Sequence, residues 1–233
     1  MNNRINIFLE GMLDISPLLI PVVPFGIIYG VIGMELGLGP YITCAASIII
    51  CGGASQIVLL QLFSGGASSL VILSSVGAVN SRHLLYGAVL SEYLSSLNIF
   101  WKIILSYLNY DQAFAVSYNY FKKNKKKNNF HYHLLGSGIF LWFIWQLSTL
   151  TGVILGPIIP EELGLSFAIP LTFLAILVNE LQKFKNVLVM LLSGIVATVG
   201  YNIVPFKAYI IVAALSGLLF AVFLTNINQK KKK

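Results

Sequence analysis

Asn80-Ser81-Arg82-His83 sets a permanent cation and a titratable ring between two apolar runs, 70–79 and 84–90. Charge inside lipid-length sequence is costly, and such a residue marks a site by default. Arg82 keeps its proton at any physiological pH, so at depth it must find an acid, a carbonyl or water. Asp111 is the best-placed acid, in an apolar and aromatic segment, 99–120, that also carries Lys102, Asn109 and Gln112. Two roles fit this pair. A solute carboxylate could compete with Asp111 for Arg82, coupling binding to the state of Asp111; or the two could form a permanent structural ion pair, with Arg82 reaching a nearby surface as a further alternative. His83 is the only histidine within an apolar run, and an ordinary pKa of about 6.5 suits a proton carrier, although a hydrogen-bonded packing residue is the plainer reading. His131 and His133 stand beside a lysine run and read as solvated.

A second polar cluster, Gly52-Gly53-Ala54-Ser55-Gln56, lies near the middle of the apolar run 41–63. Paired glycines weaken a helix, so either the helix breaks here or its backbone comes close to a neighbour. A break would free backbone groups to hold a small polar solute, as discontinuous helices do in transporters. Close approach would leave Ser55 and Gln56 hydrogen-bonding across helices. Trp142, Trp145 and Gln146 begin a later apolar run, where aromatics suggest an interfacial belt and Gln146 a packing residue. Gly26, Gly30, Gly33 and Gly37 recur at spacings of three and four, a smooth face for helix packing. Cys44 and Cys51 read as small packing residues, with no spacing for a metal site. GxxxxGK[ST] and HExxH are both missing and no Ser-His-Asp set stands out. The sequence therefore offers no catalytic residue, metal site or cofactor, and no reason to expect an enzyme.

These residues need elements that hold them in lipid. Charged residues make up 10% of the chain against 57% hydrophobic, and the mean hydropathy is +0.84. From 36 to 81 there are 46 residues without one Asp, Glu, Lys or Arg. About 20 apolar residues cross a bilayer as a helix. The pattern predicts an all-α, polytopic transmembrane bundle with spans near 15–34, 41–63, 68–90, 136–158, 165–181, 186–204 and 207–226. Segment 99–120 is either an eighth span or a re-entrant piece lining a cavity. The N-terminus resembles a signal peptide only loosely, because Glu10, Asp14 and three prolines interrupt it, and it reads as a retained first helix.

The net charge of +7 suggests nucleic acid until its distribution is considered. Nine of the fifteen basic residues lie at Lys122, Lys123, Lys125, Lys126 and Lys127 and at Lys230 to Lys233, leaving six against eight acids. Both runs flank helices, where Lys and Arg favour the cytoplasmic side. Working outward from the central loop, the Glu161-Glu162 turn falls outside, Lys183 and Lys185 inside, 205–207 outside and the tail inside, with Lys207 the one exception. The expected organisation is an N-terminal transmembrane half (1–121), a basic cytoplasmic loop (122–133), a C-terminal transmembrane half (134–227) and a basic cytoplasmic tail (228–233), in the plasma membrane. The expected partner is the lipid bilayer, not nucleic acid.

Several stretches resemble the AzlC-type large subunit of branched-chain amino-acid exporters: Gly53-Ala54-Ser55-Gln56, Asn80-Ser81-Arg82-His83-Leu84-Leu85-Tyr86-Gly87, Asp111-Gln112-Ala113-Phe114-Ala115, the stretch from Trp145 to Gly152, and Gly164-Leu165-Ser166-Phe167-Ala168. The similarity runs from about Pro17 to the last helix. Two departures stand out: Asp111-Gln112 where Asp-Glu is frequent, and Ser166 where an Asp is usual, which puts in doubt any relay through those acids. The resemblance implies secondary export of leucine, isoleucine and valine, with methionine as an extension, driven by the proton or membrane potential. It also implies a small AzlD-type membrane subunit and no ATPase subunit. The residues expected to bind substrate are Ser55, Gln56, Asn80, Arg82 and Asp111, with His83 and Asp111 as proton-coupling residues. The rivals are a uniporter or channel for another small polar solute, and a non-transporting assembly subunit or intramembrane enzyme.

Overall fold

Of the three prolines in the first apolar run, one lies in a tightened turn and two are carried within α-helix. In the computed structural model, which describes residues 2–50, 52–124, 129–158, 184–204 and 209–230, α1 (Asn2–Ile15) passes through one 3-10 turn at Ser16–Leu18 into α2 (Leu19–Glu35). Pro17 sits at the start of that turn, where its missing N–H is not needed. The first helix thus starts well before residue 15, and Glu10 and Asp14 lie on it.

Lipid length is met by some helices and divided among others. Arg4–Glu35, His131–Leu155 and Phe184–Ile203 are each long and apolar enough to cross a membrane. The expected span 41–63 is two helices, α3 (Gly39–Ile49) and α4 (Gly53–Ser64), and 68–90 is likewise split into α5 (Ser69–Asn80) and α6 (Arg82–Leu94). Segment 99–120 is also a broken pair, α7 (Ile99–Tyr107) and α8 (Asp111–Lys123). The remaining described helices are α9 (His131–Leu155), α10 (Phe184–Ile203) and α11 (Tyr209–Lys230). The expected span 165–181 and the Glu161-Glu162 turn lie outside the described residues. No strand occurs among those described, and the chain is an all-α membrane helix bundle.

Two units divide the chain: Met1–Ile57 with Ala78–Leu165, and Val58–Gly77 with Ser166–Lys233. In the first, α9 is the central element, with α1, α2, α3, α7 and α8 packed on it. Small residues set the spacing. A Cβ on Gly30 would lie 2.8 Å from Val153 N and would overlap Thr149 O, and one on Gly152 would overlap Ile27 O. Backbone therefore meets backbone, the close approach that small residues permit between membrane helices. The face expected from Gly26, Gly30 and Gly33 packs inside this chain, against α9 and Thr43, while Gly37 ends α2 at φ +77. Ile7, Ile15, Leu19 and Val22 continue the buried stripe of α1 and α2. In the second unit α10 packs along α11, with Gly217 against Ser193 and Gly200 against Tyr209.

Candidate functional site

Each of the three broken pairs places a polar side chain in the first turn of its second helix. At the first break Ile50 is extended (φ −92, ψ 90) and α4 begins at Gly53. At the second the ladder tightens, Ser81 N bonding Ala78 O and Leu84 N bonding Ser81 O, so that Arg82 opens α6. At the third Tyr110 is extended (φ −74, ψ 163) and Asp111 opens α8, where a carboxylate suits the positive end of the helix dipole.

The three starts converge. Arg82 Nη2 lies 2.9 Å from Asp111 Oδ2, and His83 Nε2 lies 3.8 Å from Asp111 Oδ1, within charge range but beyond a hydrogen bond. Ser55, fully buried, donates from Oγ to Asn80 Oδ1. Gly52 sits against both layers: a Cβ there would lie 2.9 Å from Asn80 Oδ1, 3.2 Å from Ser55 Oγ and 3.7 Å from Arg82 Nη2. Ser55, Asn80, Arg82, His83 and Asp111 thus form one cluster beside the α3–α4 break. Arg82 and Asp111 are about one-third exposed, at 32% and 37%, so the pair is reachable.

Gln56 faces another way. Its Nε2 donates to Ile50 O (2.7 Å), which also accepts from Gly52 N (2.8 Å), and to Ser47 O (3.4 Å), to which Gln146 Nε2 donates as well (3.3 Å). Gln56 and Gln146 therefore hold the break open. Ser47 Oγ meets Thr149 Oγ1 at 3.2 Å and anchors the same turn to α9.

Aromatic rings line the other side. A Cβ on Gly53 would lie 3.1 Å from both Phe25 Cε1 and Trp145 Cη2, and Trp145 stacks near Phe25 and Tyr29. Tyr86, one turn after Arg82, is stacked on Phe114 of α8 (4.4 Å, 12°) and stands by Asp111. The expectation of an interfacial belt at Trp142 and Trp145 is corrected: α9 begins at His131, so both lie near its middle. Trp142 Nε1 donates to Tyr107 Oη (2.9 Å), which donates to Ile48 O (2.8 Å). A separate cavity of about 390 Å³ lies between α6, α7 and α9, lined by Leu90, Leu105 and Leu134 and by polar groups that include Lys102, Asn109 and three serines.

Gly52 fits both readings that the sequence left open, lying at the break and packing against Asn80 and Arg82. Sequence reasoning missed His133. His133 was expected to be solvated. It is fully buried, because α9 starts before it and α1 covers it with Asp14, whose Oδ2 lies 3.1 Å from His133 Nε2. The partner is 119 residues away, so no local pattern announced it.

The sequence is similar to known membrane proteins along most of its length. It is 26% identical over 223 residues to the inner membrane protein YgaZ of Escherichia coli, covering 91% of this chain and 86% of that one. It is 27% identical over 218 residues to an uncharacterized membrane protein of Archaeoglobus fulgidus, covering 92% and 94%. No solved structure matches it. The family described as AzlC protein matches residues 17–159, a stretch that contains Ser55, Gln56, Asn80, Arg82, His83 and Asp111. This chain is a membrane protein belonging to the AzlC family.

Proposed function

We propose that this chain is the large subunit of a secondary exporter of branched-chain amino acids, in the plasma membrane with its C-terminus cytoplasmic, working with a small AzlD-type membrane subunit. The observation that carries the reading is the accessible Arg82–Asp111 pair beside a helix break. An amino-acid zwitterion needs a cation for its carboxylate, an acceptor for its ammonium group and an apolar wall for its side chain. Arg82, with the first-turn amides of α4, supplies the first, amides that a helix start leaves without intrahelical partners. Asp111 supplies the second. Phe25, Trp145, Tyr86 and Phe114 supply the third.

Substrate and Asp111 then compete for one guanidinium. Binding opens the pair, and release closes it, which gives the empty carrier a charge-paired site with which to reorient. The chain carries no P-loop, consistent with secondary transport. The test is efflux of preloaded labelled leucine from cells making the chain with and without a co-encoded small membrane subunit. Efflux that depends on both supports the reading. No efflux of leucine, isoleucine or valine with the partner present rules out the substrate assignment.

A further inference from the structure

His133 is a buried titratable group that the proposed substrate site does not use. It is 0% exposed, and both of its ring nitrogens are engaged. Nε2 lies 3.1 Å from Asp14 Oδ2 on α1, and Nδ1 lies 3.0 Å from Ser117 Oγ on α8. Ser117 Oγ lies 3.1 Å from Ser137 Oγ, which lies 3.2 Å from the carbonyl of Leu134. The Tyr120 ring stacks on the imidazole at 4.1 Å and 17°.

This chain can satisfy either protonation state. With neutral His133, Nε2–H donates to the Asp14 carboxylate, Ser117 donates to Nδ1 and Ser137 donates to Leu134 O. With a second proton, Nδ1–H donates to Ser117, Ser117 turns to donate to Ser137, and Ser137 still ends on the Leu134 carbonyl. Only one hydroxyl has to rotate. A hydroxyl both donates and accepts, so two serines ending on a carbonyl can follow the proton without leaving a buried donor unmet. A histidine that merely filled space would gain nothing from such a chain.

The surroundings are of one sign. Asp14 and Glu10 face the ring from α1, Tyr120 covers it from α8, and His131, its neighbour on α9, lies instead against Trp101 and near Arg4. Asp14 is 49% exposed and connects the buried ring to the surface. The spacing is held by backbone. A Cβ on Gly11 would overlap His133 O, and one on Gly136 would overlap Phe8 O, so α1 and α9 are locked against each other.

We propose that the His133–Asp14 pair, relayed by Ser117 and Ser137, is a reversible proton-binding site and carries the coupling proton of transport. Binding takes one proton from water, forms one N–H bond at His133 and raises the charge of the site by one. The link to the substrate site is α8. Ser117 lies six residues after Asp111, about 9 Å along the same helix, so one rigid element touches both the proton site and Arg82. The coupling half of the proposal rests on the exporter reading; the proton-binding half does not.

The test uses the full chain in lipid nanodiscs with isotope-labelled histidine, three residues in all, and His133→Gln to assign the signal. The expected result is that the ring assigned to His133 titrates reversibly with the helices intact. Asp14→Asn should lower its midpoint by about one pH unit or more, since losing the carboxylate disfavours the imidazolium. In leucine flux, His133→Gln should retain exchange at equal pH and lose pH-driven flux by about tenfold or more. A ring that never titrates, or one whose protonation melts the helices, overturns the proton site. Titration with undiminished pH-driven flux in His133→Gln overturns the coupling role. If wild type moves no leucine, the exporter reading fails and the titration alone decides the proton site.

Discussion

Arg82 Nη2 and Asp111 Oδ2 stand 2.9 Å apart although 29 residues separate them, because each is the first residue of a helix that starts at a break. The pair is about one-third exposed, so solvent screens it and its contribution to stability is about 1 kcal/mol or less. Its larger effect is on what can bind. Asp111→Asn should therefore leave thermal stability within about 1 kcal/mol of wild type while lowering leucine efflux by about tenfold or more. Purified-protein melting and efflux, measured on the same variant, separate the two effects.

Gly52 touches both layers of the site. Gly52→Ala places a Cβ 2.9 Å from Asn80 Oδ1, and since Asn80 is held by Ser55, the strain passes to the side chain next to Arg82. Efflux should fall with normal membrane abundance. Gly194→Ala is the matched control: among the described residues nothing lies within 4 Å of its Cβ, so it should be silent or slightly stabilising, by about 0.5–1 kcal/mol. Equal losses in both variants would argue against a specific role for Gly52.

Gly30 tests the scaffold. A Cβ there meets the backbone of α9 at Thr149 and Val153, which no side-chain rotation can relieve. Gly30→Leu should force α2 from α9 and cost about 1–3 kcal/mol or more, read as lost membrane abundance and a lowered melting temperature.

Gln56 separates the break from the ion pair. Gln56→Leu removes one donor from each of Ile50 O and Ser47 O, which keep Gly52 N and Gln146 Nε2, at a cost of about 0.5–1.5 kcal/mol. Stability should fall further than in Asp111→Asn. A variant that instead moves leucine poorly at full stability would place Gln56 in direct contact with substrate.

The lipid-length runs were legible because the bilayer demands them, and the break at 50–52 was legible as one of two readings, because two glycines in a row either weaken a helix or admit a neighbour. The break at Ser81 was not, since Asn80-Ser81 carries no strong breaker and the helix merely tightens there. Arg82 and Asp111 could be paired from sequence because Asp111 is the one acid in its apolar segment. His133 could not be paired with Asp14. Lysines nearby in sequence suggested water, and the contact that buries it comes from 119 residues away along the chain. The start of α1 was misplaced for a related reason: Glu10 and Asp14 read as interruptions, whereas Asp14 is the hydrogen-bond partner of buried His133.

The central claim is that Arg82 receives the substrate carboxylate. Leucine efflux in cells containing the small partner subunit, compared between wild type and Arg82→Gln at equal membrane abundance, tests it most directly. The account predicts efflux in wild type and its loss in Arg82→Gln. Efflux undiminished in the variant would contradict it, and would leave the ion pair a structural feature of the bundle.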